Sequence, residues 1–388
     1  IGDACDILNG YAFKSDRYVD EGIRVIRIAN VQKGYIEDNA PVFYPIDSSD
    51  LDKYMLEEGD LLMSLTGNVG RVALLQKEML PAALNQRVAC LRLKTDRITK
   101  RFLFHILNSD FFEQQCIQAS NGVAQKNMST EWLKDYEIPL YSIDEQLKIS
   151  EILDKTRHII SSRKDELSAL DNLIKARFVE MFGDPQINPY GWNVVSISEV
   201  VGGKVSNGFF AKRDDYCDDG NVSVLGVANI VNRMYSKIDE LPRTNADTKD
   251  IEKFEVKYGD MLFCRSSLVA EGIGKASIIP ENVQANILFE CHVIRLPLDL
   301  SKCVPEFMQT LSTMDFFRNQ VIAQSKTATM TTIGQDGILK SNIILPPIEM
   351  QRELYDFVKQ VDKSKVAVQK SLDETQQLFD SLMQKYFG

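Results

Sequence analysis

Gly274-Lys275 is the pair in this chain that comes nearest to a phosphate-binding turn, and it fails on spacing. A loop that cradles phosphate on backbone N–H groups needs a glycine five residues before the Gly-Lys pair and a Ser or Thr after it. Val269 and Ala276 occupy those places, so the pair reads as a turn before a strand. Methyl transfer to an exocyclic amine would call for an Asn-Pro-Pro-Tyr-like motif. "NPYG" at 188–191 lacks the second proline, and "LPPI" at 345–348 lacks the leading Asn or Asp. There is no G-x-G-x-x-G. His105 sits beside Phe104 in an apolar helical run and reads as structural. His158 falls on the solvated face of a long helix, and His292 in a strand run, half-buried. The seven cysteines are scattered, odd in number and free of C-x-x-C, so zinc-site spacing is absent and free buried thiols are expected. No Ser/His/Asp set and no carboxylate pair stands at a recognisable spacing. The expectation is a chain with no catalytic residues, no metal and no cofactor of its own.

Composition is that of a globular chain of two or three domains: 388 residues, 44% hydrophobic and 26% charged. No apolar run reaches the roughly 18 residues of a membrane span. The charged N-terminal stretch, with Asp3, Asp6, Lys14, Asp16, Arg17 and Asp20, is no signal peptide, and a reducing cytoplasm is expected. The first residue is Ile1 rather than Met, which leaves room for a short extension before it. Net charge is −10 and pI about 5.1. That weighs against a simple nucleic-acid binder, which needs positive surface for phosphate. An acidic remainder is compatible with local positive clefts and limits nonspecific adhesion.

The elements that would position any site are written twice. Asn9-Gly10 recurs as Asn207-Gly208, Ala29-Asn30 as Ala228-Asn229, Gly59-Asp60 as Gly259-Asp260, and Gly70-Arg71 as Gly274-Lys275. Arg92-Leu93 recurs as Arg295-Leu296, Phe111-Phe112 as Phe316-Phe317, Gln146 as Gln351, and Phe182-Gly183 as Phe387-Gly388. The offset drifts from 198 (Asn9 to Asn207) to 205, then holds at 205 from Gln146 onward. The first part of each repeat tolerates loop changes; the second behaves as an uninterrupted helix. That helix carries heptads without Gly or Pro. Leu153, Ile160, Leu167, Ile174 and Met181 form one seam, with Ile149, Thr156, Arg163, Leu170 and Arg177 beside it. In the second copy the seams are Leu354, Val361, Val368, Thr375, Leu382 and Val358, Lys365, Leu372, Phe379, Tyr386. Each helix of about 40 residues spans roughly 60 Å and cannot bury such a stripe alone. An intramolecular antiparallel pair is expected, with Lys365 facing Ile160. Packing of each helix on its own globular domain, and coiled-coil dimerisation between chains, stay open.

The rest reads as α+β: two globular α/β domains, 1–142 and 197–348, with spacer helices at 143–183 and 349–388 and a Pro/Gly/Asn linker at 184–196. Strand-like runs are 24–31, 60–65, 70–75 and 87–93, followed by a helical run at 101–118. Gly183 is placed as a C-terminal cap and Pro185 as a stop.

Together these residues resemble the specificity subunit of Type I restriction–modification systems. The resemblance spans nearly the whole chain. It is carried by "IPLYSIDEQLKISEIL" (138–153) and "LPPIEMQRELYDFV" (345–358), where a proline and an Asp/Glu-x-Gln lead into a heptad helix, and by "EMFGDP" (180–185). Tyr141 departs from the pattern against Pro346, as does Pro139 against Ile344. The resemblance implies two target-recognition domains, related by a pseudo-twofold repeat, each reading half of a bipartite site in double-stranded DNA. It implies helices that fix the spacing and dock two modification (methyltransferase) subunits, with restriction subunits joining. S-adenosylmethionine would belong to the modification subunit, not to this chain. Candidate phosphate or base contacts are basic and amide residues in turns. They are Lys14, Arg17, Lys33, Arg71, Lys126 and Asn127 in the first domain, and Lys212, Arg213, Arg233, Arg265, Lys275 and Lys326 in the second. Lys126 and Lys326 are the preferred pair, on the polar loops 121–129 and 323–332. The rival reading is a coiled-coil scaffold with no DNA contact.

Overall fold

A computed structural model describes residues 1–46, 49–120, 127–327 and 329–388. The chain divides into two compact units, one of Ile1–Lys164 with Lys370–Gly388, the other of Asp165–Gln369. The first unit contains β1 (Cys5–Asn9), β2 (Ile23–Ile26), β3 (Phe43–Tyr44), β4 (Leu61–Ser64), β5 (Val72–Leu74), β6 (Ala82–Leu84) and β7 (Val88–Leu93). Helices α1 (Lys100–Leu107), α2 (Asp110–Ala119) and α3 (Thr130–Asp135) follow, and then α4 (Ile143–Phe182), which continues into the second unit. The second unit holds β8 (Asn193–Ser196), β9 (Ser206–Asn207), β10 (Val222–Leu225), β11 (Arg243–Thr244), α5 (Thr248–Phe254), β12 (Asp260–Cys264), β13 (Ser266–Ser267), β14 (Ala276–Ile278), β15 (Ile287–Phe289) and β16 (Val293–Pro297). It continues with α6 (Pro305–Ser312), α7 (Asp315–Ala323), β17 (Lys326–Thr327), β18 (Thr331–Thr332), α8 (Gln335–Leu339), β19 (Asn342–Leu345) and α9 (Ile348–Phe387), whose last residues belong to the first unit. Among the described residues, no helix is long and apolar enough to cross a membrane.

The repeat is a repeat of topology. Each unit has an antiparallel sheet of four strands, β1-β7-β4-β5 in the first and β9-β16-β12-β14 in the second. Each also has a mixed sheet of three, β3-β2-β6 and β11-β10-β15, with one parallel pair (β2 with β6, β10 with β15). The central strands β4 and β12 are buried along their length, which their unbroken apolar runs require. Ahead of each, a Gly-Asp turn is closed by the aspartate, which accepts from the backbone N–H three residues earlier: Asp60 from Glu57 at 2.8 Å and Asp260 from Lys257 at 2.9 Å. The repeated arginine faces the same carboxylate, Arg92 at 2.7 Å from Asp60 and Arg295 at 4.0 Å from Asp260. Gly10 and Gly208 recur because nothing larger fits. A Cβ would lie 2.3 Å from the Asn85 carbonyl oxygen in one and 2.2 Å from that of Glu290 in the other.

Two expected elements differ. The run 101–118 is two helices, because Ser109 caps a new start by accepting from the Phe112 N–H at 3.1 Å. The strand expected over 24–31 ends at Ile26, where the buried Asn30 side chain folds the chain into a turn, accepting from Arg27 N–H at 2.9 Å. The segment 184–196 is tied down: β8 pairs with β19, and the Trp192 indole donates to the Phe182 carbonyl at 2.9 Å.

Gln146 and Gln351 show why the spacing locks at 205. Both are fully buried. The Gln146 amide oxygen accepts from Thr99 N–H at 2.8 Å, and its nitrogen donates to the Arg97 and Tyr141 carbonyls. Gln351 repeats this with Val304 N–H at 2.9 Å and the Lys302 and Pro346 carbonyls. One side chain thereby joins α4 to the loop before α1, and its counterpart joins α9 to the loop before α6. Gln351→Leu strands an N–H and two carbonyls in a dry site and should cost about 3 kcal/mol. A denaturant-melt loss under about 1 kcal/mol would show that water replaces the amide.

Within each unit α4 and α9 run antiparallel. In the first unit Tyr141 Oη donates to the Tyr386 carbonyl, and Arg157 lies over the Phe379 ring. In the second Asp171 meets Lys365, and Arg177 lies over Phe357. Lys365 therefore faces Asp171, not Ile160: antiparallel partners count in opposite directions, whereas the repeat offset counts in the same direction. Of the seam residues, Ile149, Leu153, Ile160, Ile174, Leu354, Val358, Val361, Val368 and Leu372 are buried; Leu167, Leu170, Phe379 and Leu382 are half-buried. The helix ends also enter the globular cores. Ile149, Leu153, Met383 and Phe387 pack with Phe102 and Leu103; Ile174, Phe178, Phe182, Leu354 and Val358 pack with Phe307 and Phe317. Packing on a globular domain and pairing with a second helix are thus combined. Gly183 takes a left-handed conformation (φ +75°) and its N–H returns to the Val179 carbonyl at 2.8 Å, closing α4 as a C-terminal cap.

Candidate nucleic-acid interface

In the second unit the polar loop 323–332 folds as a small hairpin. β17 and β18 pair, with Lys326 opposite Thr332, and β18 pairs in turn with β13 at Ser266 and Ser267. Threonine suits these short strands because a β-branched side chain packs on a pleated surface, and Thr331 is buried in the ladder. Thr327 and Thr331 hydroxyls lie 3.0 Å apart across the hairpin. His292 is exposed, in the turn before β16, with Nδ1 at 3.2 Å from the Ser266 hydroxyl. This corrects the expected half-buried strand position: the strand starts one residue later. Arg265 donates to the Cys291 carbonyl at 3.1 Å. Next to this polar surface Leu268 is 82% exposed. An unburied leucine flanked by hydroxyls, imidazole and cations matches what direct readout uses: donors and acceptors for base edges, with an apolar group for a thymine methyl.

The other second-unit candidates fall elsewhere. Lys212 and Arg213 are exposed at a 3-10 turn whose N–H at Lys212 donates to Asp215 at 2.7 Å. Arg233 and Lys275 flank a cleft beside α4.

In the first unit Thr66 pairs with Asn127 as Ser266 pairs with Thr332, and Met128 N–H donates to Leu65 as Ile333 N–H does to Arg265. This register sets Asn127 against Thr332, and Lys126 lies outside the described residues. Lys14 and Arg17 are exposed, with the Arg17 guanidinium 4.9 Å from the Tyr44 ring centre. Arg71 donates to Gln32. Lys33 is drawn into α2, bonded to Asp110 and, at 2.7 Å, to Glu113. Burial opposes its charge, but the hydrogen bonds to these two carboxylates outweigh that and raise its pKa. Its charge is already balanced within the protein.

The side chains with strongly shifted pKa values are structural. His105 is buried with Nε2 2.8 Å from Asp154; burial first, then Arg157, brings its pKa down to about 4. Burial raises Glu306 to about 7, and the Tyr235 hydroxyl donates to it at 3.2 Å. Five cysteines are buried and two, Cys217 and Cys291, half-buried; burial raises the thiol pKa in each. Among the described residues no group of three or more His, Cys, Asp or Glu could hold a metal.

Residues 1–171 and 189–376 each match the family model described as the Type I restriction modification DNA specificity domain. The EcoBI specificity subunit of Escherichia coli is 23% identical over 418 residues, 98% of this chain and 83% of that protein. The StySPI specificity subunit of Salmonella potsdam is 23% identical over 408 residues, 98% and 86% of the two chains. The EcoAI specificity subunit of Escherichia coli is 34% identical over 190 residues, 45% of this chain and 32% of its own length. In fold, the chain is similar to the S subunit of a Type I restriction–modification system from M. genitalium, with TM-score 0.55 and 13% identity over 100% of this chain and 94% of that one.

Proposed function

The chain belongs to the family of Type I restriction modification DNA specificity domains, and from that premise we propose how its two halves divide the work. It is a DNA sequence-specificity subunit. Each globular domain reads one half of a bipartite site, and the helices set the gap between the halves and dock two modification subunits. The chain itself is not catalytic. S-adenosylmethionine is held by the modification subunit, restriction subunits complete the cytoplasmic complex, and this chain supplies the address.

One observation carries this reading: the framework is repeated while the exposed loops are not. The two buried glutamines, the Gly-Asp turns and both sheets recur, whereas Thr332, Ser266, Ser267 and Leu268 of the second-unit hairpin surface stand where the first unit has Asn127, Thr66, Gly67 and Asn68. Shared scaffold with divergent reading surfaces is what two different half-sites need. Two domains reading major-groove faces need centres about one helical turn, roughly 34–36 Å, apart, which a helix of roughly 60 Å can span.

The test is to map methylated adenines in the source genome with and without this gene. A bipartite motif that disappears on deletion is expected; an unchanged pattern would overturn the reading in favour of a scaffold that never meets DNA. In the assembled methyltransferase, Lys326→Ala should weaken binding and flatten its salt dependence by about one counterion. Lys126→Ala is the matching test in the first half. A salt slope equal to the wild type's would remove that lysine from the phosphate contacts.

A further inference from the structure

Beside α4, the second unit has a cleft of about 340 Å³ whose lining is one-sided in charge. Lys175, Arg233, Lys275 and Arg318 face it, against a single carboxylate, Asp171. Asp171 is already taken by Lys365, 2.6 Å away. Among the described residues none of the four cations is paired with a carboxylate. Lys275 donates to the Asn232 amide oxygen at 2.7 Å, and Arg318 Nη2 to the Glu271 carbonyl at 2.9 Å. Arg318 Nη1 is shielded from solvent and has no acceptor at all. Burial lowers the Arg318 pKa, as it must for a guanidinium held out of water without a counter-charge. The hydroxyls of Thr310, Ser312 and Thr313 donate to helix carbonyls, so the donors left for a ligand are the cations.

The first unit carries a cleft at the equivalent place, about 300 Å³ between α2 and the end of α9, and there carboxylates outnumber cations, with Lys33 set against Asp110 and Asp380. The counterpart of Arg318 is Glu113 and that of Lys175 is Asp380, each 205 residues away. Lys33, the counterpart of Arg233, is held by Asp110 and Glu113. In the second unit Asp315, the counterpart of Asp110, does not line the cleft. The two clefts share a frame and differ in sign.

We propose that the second-unit cleft binds a phosphate group, supplied by the DNA backbone or by a free nucleotide, and that the first-unit cleft does not. A guanidinium fork and flanking ammonium groups match phosphate oxygens, and burial of Arg318 strengthens each such bond. The DNA source rests on the function proposed above; the free-nucleotide source does not. A backbone contact here orients the protein on the duplex and reads no base. With DNA as the source, the spacer helix itself grips the backbone through Lys175, on one half of the site only.

Arg318→Gln and Lys175→Gln, made separately in the full chain, test this. Lys175 is exposed on α4, so its variant keeps the test valid if the Arg318 variant folds poorly. Inorganic pyrophosphate is titrated into the chain by calorimetry. Duplex DNA carrying the mapped motif is titrated into the assembled methyltransferase at several salt concentrations. Loss of affinity by roughly tenfold in either arm is expected. If the source is DNA, the salt slope falls by about one and the methylated motif stays the same. If it is a free nucleotide, pyrophosphate binding alone falls. Variants that melt like wild type and bind both probes equally well overturn the proposal. So do variants that keep both affinities but lose the modification subunits, which would make the cleft a protein-docking site. Motif loss on gene deletion is scored independently, so failure here is distinct from failure of the specificity reading.

Discussion

Phe182→Ala is expected to cost the second unit about 4 kcal/mol, a large part of a typical stability of 5–15 kcal/mol. Phe182 ends α4 with no exposed surface. Its ring lies 5.0 Å from Phe178 and meets Phe307 edge-on at 5.1 Å, while its carbonyl receives the Trp192 indole. A rigid helix end, an aromatic partner on α6 and a tethered chain leave little freedom to collapse into the cavity, which puts the cost toward the upper end for aromatic truncation. The repeat supplies an internal comparison. Phe387 closes α9 in the first unit, 7% exposed and 5.5 Å from Phe102. Phe387→Ala should cost about 3 kcal/mol, less because part of its ring is already wetted and a helix terminus can fray. Denaturant melts that place both losses below 1 kcal/mol would mean that the aromatic ends are dispensable to the cores.

Glu306→Gln should stabilise the protein in mild alkali and lose that advantage in acid. Glu306 is 1% exposed; Oε1 takes the Tyr235 hydroxyl and Oε2 has no partner. Burial raises its pKa from the ordinary carboxyl value of 4.5 to about 7, with Glu281 pushing the same way and its own backbone N–H, the Tyr235 bond and Lys359 pulling back. A folded-state pKa above the unfolded one means that the native state prefers the proton. Stability is therefore highest below about pH 4.5 and falls as pH rises through about 7, by at most about 3 kcal/mol. Glutamine removes that cost but leaves its own NH2 without an acceptor, at about 1–2 kcal/mol. The net gain at pH 8 is about 1–2 kcal/mol and should vanish or reverse at pH 5. Asp260, raised to about 6 by burial, and His105, lowered to about 4, titrate in wild type and variant alike, so the difference between the two melts isolates Glu306. A difference that stays flat from pH 5 to 8 would show that Glu306 is already paired in solution.

The local devices were legible because each acts within a few residues. The Gly-Asp turns, Gly183 as a cap and the heptads follow from residue type and offset; Gln146 and Gln351 show only as a matched pair, since the backbone groups they bond lie 47 residues away. The misreadings have physical causes as well. The heptad count finds one stripe per helix, but the helix ends carry a second apolar face for the globular cores, so Phe178, Phe182, Met383 and Phe387 were not counted. Lys365 is set against Ile160 by the repeat offset, whereas antiparallel packing sets it against Asp171. Leu268 carried a faint signal, an apolar pair in a loop between strands, whose meaning depends on its exposure.

By itself, the sequence determined that the protein is two diverged copies of one plan, each ending in a long heptad helix, with no recognisable catalytic set. Periodicity, caps and turns are short-range physics, and a repeat compares each such signal with itself. Which cations are free is settled by the packing of distant segments. Lys33 and Arg233 look alike in the chain, yet Lys33 is neutralised by carboxylates of α2 while Arg233 shares its cleft with Lys175, Lys275 and Arg318. That cleft gathers residues from four distant segments, and charge balance at a site depends on distances through space, which spacing along the chain does not contain.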